Sequence, residues 1–278
     1  MADLLARERL IFALDVESKE EAVALVSELK GLVSFYKVGI ELLMSLGMED
    51  ILRMLIKENQ VFVDLKLPGD IGETVRRVVR LSSSMGVKFI TLSRTTDAPT
   101  VRAAVEGRGT NENPKLLAVS FLSSLDQADY QELYGAPTES FDDYLLARSR
   151  MLIGSGCDGL VASGDSVRLL RRAFPDAIIV SPGIRPSGSS PDDHKRFATP
   201  SEAIEMGADY LVVGRPIRNA SNPRDAAERI IEEIDTAVRG KSQGTQQNHR
   251  AADFSDHRRG TSGYSPRPVS FACKPRED

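Results

Sequence analysis

The sequence has few of the residues that build metal centres, disulfide frameworks and catalytic triads. Only two cysteines occur among its 278 residues, Cys157 and Cys273, and no C-x-x-C pair is present. Neither a zinc site nor a disulfide framework is therefore indicated. Two of the three histidines, His249 and His257, fall in a polar C-terminal stretch, which argues against a His-rich metal site or a triad. We expect no bound metal.

Long apolar runs and an excess of basic charge are also missing. No run approaches the roughly 20 apolar residues that span a bilayer, and residues 1–9 include two acids and lack the apolar core of a signal peptide. The formal net charge of −4 gives no support for bulk nucleic-acid binding. We expect a soluble cytoplasmic protein with neither a membrane nor a nucleic acid as partner.

What the sequence does contain is a regular alternation of short apolar runs with longer amphipathic segments. Nearly continuous apolar runs are typical of parallel strands buried on both faces, and eight β-then-α repeats fit a (β/α)8 TIM barrel. A doubly wound sheet is the alternative, but its first β–α turn is usually Gly-rich, and residues 15–18 contain no glycine. The predicted strands are 10–16, 35–40, 61–67, 89–93, 116–122, 159–163, 177–182 and 210–215, with helices at 19–29, 74–85, 98–106, 144–153 and 224–238.

The composition changes near residue 239. Residues 240–278 are rich in Gly, Ser, Gln, Arg, Asp and Pro and show almost no periodic apolar face, which is typical of a disordered segment. We therefore predict a single barrel domain at 1–239 and a disordered polar tail at 240–278.

Charged residues interrupt three of the predicted strands. Asp15 ends the first, Lys37 lies in the second, and the third carries Asp64 and Lys66, which point to the same side because they are two residues apart. Buried opposite charges usually cost stability unless a partner or ligand uses them. Because active sites of barrel enzymes lie at the carboxyl ends of the strands, we predict that these four residues form one site.

The last two predicted strands end in motifs that suit a phosphate group. Gly183 and Gly214 permit close backbone approach, and Arg185 and Arg215 supply guanidinium groups that match phosphate oxygens. Phosphate sites after strands seven and eight recur in barrel enzymes. The alternative is that these glycines only form tight turns.

Five separated motifs, in order between residues 10 and 234, resemble those of the orotidine 5′-phosphate decarboxylase family. They are Phe-Ala-Leu-Asp at 12–15, Tyr-Lys-Val-Gly at 36–39, Asp-Leu-Lys at 64–66, Ser-Pro-Gly-Ile-Arg-Pro at 181–186 and Val-Val-Gly-Arg-Pro-Ile at 212–217. The resemblance implies a cofactor-free homodimeric enzyme that decarboxylates orotidine 5′-phosphate to UMP. It implies catalytic roles for Lys37, Asp64, Lys66 and Asp70, and substrate contacts from Asp15, Lys37, Thr74, Ser123, Arg185, His194, Gly214 and Arg215.

The same resemblance implies how those roles are divided. Asp64 would lie near the substrate carboxylate, and Lys66 would protonate C6 of the pyrimidine as carbon dioxide departs. Asp70 and Thr74 would reach the active site of the other subunit. Ser123 would lie near the pyrimidine.

Three positions depart from the family pattern. Asp70 comes four residues after Lys66 instead of three, and the intervening Pro-Gly either absorbs the extra residue as a turn or bulge or misplaces Asp70. His194 stands where the family usually has a phosphate-side glutamine, and Ser93 lies near the position of a common histidine.

Two alternatives to the decarboxylase stay open. One is a sugar-phosphate decarboxylase of the same suprafamily, which uses a metal. The other is a non-catalytic protein that binds nucleotide phosphates through Arg185 and Arg215.

Overall fold

A computed structural model describes residues 4–44, 48–69, 71–122, 127–135, 139–186 and 197–256. The chain divides into two compact units, Met1–Arg239 and Gly240–Asp278.

Eight parallel strands in sequence order form a closed barrel, which confirms the predicted fold. The barrel closes where β1 pairs with β8, in the register Ile11–Val212. Every predicted strand is present, although most end one to three residues earlier than predicted. The strands are β1 Leu10–Ala13, β2 Phe35–Gly39, β3 Gln60–Leu67, β4 Phe89–Leu92, β5 Lys115–Val119, β6 Gly159–Val161, β7 Ile178–Ser181 and β8 Tyr210–Val213.

Helices connect the strands and surround them. Ser18 caps α2 by accepting a hydrogen bond from the Glu21 N–H, as its position before Lys-Glu-Glu predicts. The helices are α1 Ala6–Arg9, α2 Lys19–Glu28, α3 Ile40–Met44, α4 Met48–Glu58, α5 Gly72–Met85, α6 Ala98–Arg108, α7 Gln127–Tyr134, α8 Phe141–Gly154, α9 Ser166–Ala173, α10 Pro200–Met206, α11 Arg215–Arg218 and α12 Pro223–Asp256.

The inside of the barrel is filled by aromatic rings from alternate strands. Phe35 of β2, Phe89 of β4 and Tyr210 of β8 meet with ring centroids 5.1 to 5.8 Å apart. Phe62 packs on Phe89 at 5.9 Å and also lines the cavity above these rings. Layers of this kind fill the interior of the barrel.

Two aspartates tie strands together at the opposite, amino-terminal end of the barrel. Asp158, just before β6, accepts hydrogen bonds from Arg108 and from the Leu116 N–H. Asp209, just before β8, accepts from Arg171 and from the Ile179 N–H. Each aspartate therefore binds one helix arginine and one backbone N–H of the preceding strand.

Helix α12 crosses the predicted boundary between domain and tail. Its backbone is helical to Asp256, because extending an existing helix costs little once its first turns are packed. Residues 257–278 lie outside the described residues, so the disordered tail stays a prediction. No helix in the described part of the chain is both long and apolar enough to cross a membrane.

Candidate active site

A cavity of about 440 Å³ opens at the carboxyl ends of the strands. Two other cavities, of about 810 and 560 Å³, are larger but contain none of the predicted site residues. Apolar side chains of the barrel interior form the floor of the 440 Å³ cavity. Its charged lining residues are Asp15, Lys37, Glu41, Asp64, Lys66, Arg185, Arg215 and Arg218.

The four charges predicted on the first three strands lie in contact with one another. Lys37 Nζ is 2.7 Å from Asp15 Oδ1 and 3.5 Å from Asp64 Oδ2. Lys66 Nζ is 2.9 Å from the same oxygen of Asp64. The Asp64 carboxylate therefore forms ion pairs with both Lys37 and Lys66, and Asp15 forms a second ion pair with Lys37.

Burial distinguishes the two lysines. Lys37 is 8% exposed, whereas the side chain of Lys66 is 46% exposed and lines the open cavity. The geometry therefore gives Lys37 a fixed place between two carboxylates and leaves Lys66 able to approach a bound molecule.

The pKa values of this array follow from opposing effects. Burial disfavours the charged form of Asp64, but the positive charges of Lys37 and Lys66 and the hydrogen bonds from Lys66 and Thr91 hold its pKa below the usual value. Burial lowers the pKa of Lys37, yet Asp64 and Asp15 raise it above the usual value overall. Both groups are therefore charged near neutral pH.

The backbone that carries Lys66 is unusual. Lys66 has φ +48°, in the left-handed region, which costs an L-residue roughly 1–2 kcal/mol. The β3–β4 ladder shifts register here: between the pairs Val63–Ile90 and Leu67–Leu92, strand β3 advances four residues and β4 two. The chain thus forms a bulge that contains Asp64 and Lys66.

Thr91 of β4 supports this bulge. Its hydroxyl donates a 2.7 Å hydrogen bond to Asp64 Oδ1 and accepts one of 3.0 Å from the backbone N–H of Lys66. Sequence reasoning did not single out Thr91. The feature that could have indicated it is a hydroxyl side chain within the otherwise apolar run 89–92.

The two predicted phosphate motifs also line the cavity. Gly183, after β7, has φ +75°, a conformation that L side chains rarely adopt. Arg185 is 5% exposed and donates a 2.8 Å hydrogen bond to the Ile184 carbonyl. Gly214 and Arg215 follow β8, so the two motifs meet at the same rim as Asp15.

Three further polar residues line the cavity, although the sequence did not indicate them: Glu41, Arg218 and Ser163. Arg218, in α11, donates a hydrogen bond to the backbone carbonyl of Asp15. Ser163, after β6, is 1% exposed, and its buried hydroxyl has no hydrogen-bond partner among the described residues.

Four predicted site residues are not placed in this cavity. Thr74 is exposed in the first turn of α5 and is not among the lining residues. Asp70, Ser123 and His194 lie outside the described residues.

The described residues contain no group of three or more His, Cys, Asp or Glu side chains that could hold a metal ion. What the site offers is paired charge: an ammonium beside a carboxylate, facing an apolar floor. Such preorganised charge stabilises a transition state more than it stabilises the free substrate.

The chain is similar in sequence to proteins of one enzyme family. The sequence pattern of the Orotidine 5′-phosphate decarboxylase / HUMPS family matches residues 8–230. The chain is 44% identical over 236 residues to an orotidine 5′-phosphate decarboxylase of Nitrobacter winogradskyi, covering 84% of this chain and 96% of that one. It is 45% identical over 232 residues to one of Methylococcus capsulatus, covering 82% and 92%.

Two solved structures extend the comparison to three dimensions. The orotidine 5′-phosphate decarboxylase of Lactobacillus acidophilus matches with a TM-score of 0.69 at 32% identity, over 81% of this chain and 98% of that one. An uncharacterized conserved protein of Geobacillus kaustophilus matches with a TM-score of 0.66 at 26% identity, over 81% and 99%.

Proposed function

The chain belongs to the orotidine 5′-phosphate decarboxylase / HUMPS family, and we infer that it is the carboxy-lyase that converts orotidine 5′-phosphate to UMP in pyrimidine biosynthesis. Relatives more than 40% identical over more than four fifths of the chain carry the decarboxylase name. The observation that supports this function most directly is the contact of Asp64 with both Lys37 and Lys66 at the base of an open cavity.

We propose that Lys66 and Asp64 perform the chemistry. Asp64, held as a carboxylate, faces the substrate carboxylate and disfavours its negative charge. When the bond between C6 and the carboxylate breaks, carbon dioxide leaves and its bonding electron pair stays on C6. Lys66 Nζ donates a proton to that carbon and is reprotonated from solvent, which is general acid catalysis. Its 2.9 Å contact with Asp64 holds the ammonium group in position.

The part of the rim that follows β7 and β8 is proposed to bind the phosphate. Arg185 and Arg215 provide the guanidinium groups, Gly214 lets the phosphate approach the backbone, and His194 donates a further hydrogen bond. Binding energy from a phosphate remote from the reacting carbon can be used to orient the ring and stabilise the transition state.

The ribose is proposed to lie between these two regions. Asp15 and Lys37, joined at 2.7 Å, would bind its hydroxyl groups, and Ser123 would contact the pyrimidine. This arrangement places the reacting ring over the apolar floor formed in part by Phe62.

We propose that the enzyme is a homodimer in which Asp70 and Thr74 complete the partner's site. Thr74 is exposed and does not line its own cavity, as expected of a residue that serves a neighbour. Ile40 begins α3 and Ile71 caps α5. They are 59% and 58% exposed, and a partner subunit would cover them. We further propose that the enzyme works in the cytoplasm without a cofactor, and that residues 1–239 form the catalytic domain.

Turnover of orotidine 5′-phosphate, followed by ultraviolet absorbance in the presence of a chelator, tests the function. We expect turnover by the wild type and a loss of at least about 10³-fold for Lys66→Ala, because the proton donor is removed. Turnover of a sugar phosphate only with added divalent metal would instead indicate the metal-dependent relative. Tight UMP binding without turnover would indicate a non-catalytic binding protein.

The shared site has its own test. Asp70→Asn and Lys66→Ala variants are each expected to be inactive, and a mixture of the two should regain activity, since a mixed dimer contains one intact site. No recovery after subunit exchange, with dimers present by sedimentation, would contradict the role of Asp70.

A further inference from the structure

We propose that Thr91 is a positioning residue that sets the geometry of the catalytic pair Asp64 and Lys66. The inference rests on the proposed decarboxylase function and extends it to a residue outside the charge array.

The position of Thr91 in β4 directs its side chain into the barrel. Phe89, two residues earlier, packs in the interior aromatic layer, and Ile90 and Leu92 pack in the cluster between strands and helices. Side chains alternate along a strand, so Thr91 occupies the interior face one layer above Phe89. It is 1% exposed, so its hydroxyl needs partners within the protein.

Both partners belong to the catalytic bulge of β3. A hydroxyl has one proton and two lone pairs. Here the proton is donated to Asp64 Oδ1 at 2.7 Å, and a lone pair accepts the Lys66 N–H at 3.0 Å. One oxygen atom therefore fixes the side chain of Asp64 and the backbone of Lys66 at the same time.

The hydrogen bond from Thr91 gives the two carboxylate oxygens of Asp64 different partners. Oδ1 is held by Thr91, whereas Oδ2 lies 2.9 Å from Lys66 Nζ and 3.5 Å from Lys37 Nζ. Without the hydroxyl, the carboxylate is free to rotate and share both oxygens between the two lysines. By holding Oδ1, the hydroxyl fixes the position of Oδ2, the oxygen that orients Lys66.

The hydrogen bond from the Lys66 N–H to Thr91 stabilises the strained backbone at Lys66. The register shift places Lys66 where no regular ladder pairing continues, and its left-handed φ of +48° is unfavourable for a side-chain-bearing residue. Strained residues persist when their surroundings fix them. The Thr91 hydroxyl supplies a partner for the N–H that the bulge removes from the ladder.

The proposal also predicts an effect on pH dependence. The groups that face Asp64 are Lys37 from β2, Lys66 from its own strand and the uncharged Thr91 hydroxyl from β4, and Asp15 reaches it only through Lys37. Removing the hydroxyl leaves the lysines in place and removes one contribution that lowers the pKa of Asp64. The acid limb of the kcat/KM profile should therefore move to higher pH.

A matched pair of variants tests this. Thr91→Val keeps the shape and removes the hydroxyl, and Thr91→Ser keeps the hydroxyl and removes a methyl group. We expect Thr91→Val to lower kcat about 10- to 100-fold, because small misplacement of catalytic groups is costly. The dissociation constant for UMP should change less than about threefold, since the phosphate clamp is untouched, and Thr91→Ser should retain most of the wild-type kcat.

Thr100→Val is the control, because Thr100 is also a buried threonine, 2% exposed, but lies in α6 away from the cavity. It should leave kcat unchanged. Equal losses of kcat for Thr91→Val and Thr91→Ser, or an unmoved acid limb in Thr91→Val, would overturn the proposal.

A crystal structure of Thr91→Val separates this proposal from the proposed function. We expect Lys66 to leave the left-handed region or its ammonium to leave Asp64. If the wild type fails to decarboxylate orotidine 5′-phosphate, the proposed function fails, while this structural result still decides the positioning role. An unchanged bulge and an unchanged Lys66–Asp64 distance would refute it.

Discussion

At the scale of single residues, the site is built from charges that the protein stabilises against burial. Asp64 keeps a low pKa although burial opposes its charge, because two lysines and a threonine hydroxyl favour the carboxylate. Lys37 keeps a raised pKa between Asp64 and Asp15 although burial lowers it. Each charge is therefore maintained by the others, so the loss of one alters the rest.

This coupling predicts how Asp64→Asn affects stability at different pH values. A depressed pKa in the folded state stabilises the protein above the pKa of the unfolded state, about 3.9 for Asp. That stabilisation disappears as the pH falls through the lower, folded pKa. Urea unfolding should show the variant roughly 1–3 kcal/mol less stable near neutral pH, with the difference shrinking in acid.

Asp235→Asn is the control for that experiment. Asp235 pairs with Arg239 on the surface, where the two side chains are 41% and 75% exposed, and such pairs contribute less than about 1 kcal/mol. The control should stay close to wild type. An Asp64→Asn difference that does not shrink as the pH falls would show that the ionised carboxylate is not what stabilises the fold.

At the scale of elements, α5 and α6 pack with little space between their backbones. Gly107 of α6 has no side chain at the contact, and a Cβ there would lie 2.3 Å from the Arg76 carbonyl oxygen of α5. Real Cβ atoms essentially never come that close to another heavy atom. Close packing fixes α5 against α6, and Thr74 lies in the first turn of α5.

Gly107→Ala should therefore force the two helices apart. We expect a loss of about 1–3 kcal/mol in the free energy of unfolding, which lowers Tm by about 2–4 °C per kcal/mol in a chain of this size. Thermal unfolding followed by circular dichroism measures it.

Gly154→Ala in α8 is the matched control, because nothing lies within 4 Å of its Cβ position. It should be neutral or stabilise by up to about 1 kcal/mol, since alanine reduces the freedom of the unfolded chain. Equal effects of the two substitutions would contradict the packing argument.

A second element-scale feature supports the wall of the cavity. Phe121, which lines the cavity, packs against Phe141 with ring centroids 5.0 Å apart. Tyr130, Tyr134 and Tyr144 extend this cluster across α7 and α8, and the hydroxyls of Tyr134 and Tyr144 are 2.8 Å apart. The helices between β5 and β6 thus form a small separate core behind one wall of the site.

At the scale of the whole molecule, the last helix, α12, has a row of buried residues in its first half. Ala227, Ile230 and Ile234 of α12 are at most 2% exposed, and Ala237 is 8% exposed. Their spacing of three to four residues forms one apolar face. This buried face ends before the predicted tail begins.

A protein that ends after residue 241 should therefore keep its fold and its activity. We expect kcat within about twofold of the full chain and an unchanged unfolding midpoint, because the apolar face that packs on the barrel is retained. A chain that ends after residue 229 lacks Ile230 and Ile234 and should fail to fold. Loss of activity in the longer truncation, with its fold intact, would assign a function to residues 242–278.

Comparison of sequence and structure shows where prediction succeeded. Apolar runs predicted all eight strands, since a strand buried on both faces leaves a strong signal. Helix starts are less certain from sequence: Ser201, before an acidic first turn, also suits a cap, but the helix begins at Pro200 and is capped by Thr199, whose hydroxyl and Glu202 bond reciprocally. Several residues could satisfy the same signal, and the three-dimensional turn selected one.

The sequence by itself determined the barrel, the charged residues on β1 to β3 and the two arginine motifs, because each depends on residue type and local spacing. Only the tertiary structure decided that Thr91 joins Asp64 to Lys66 and that Arg218 reaches the Asp15 carbonyl. These contacts join residues far apart in sequence, and local patterns in a sequence do not show which distant side chain fills a given gap. The bulge at Lys66 belongs to the same class, because it depends on how β3 registers against β4.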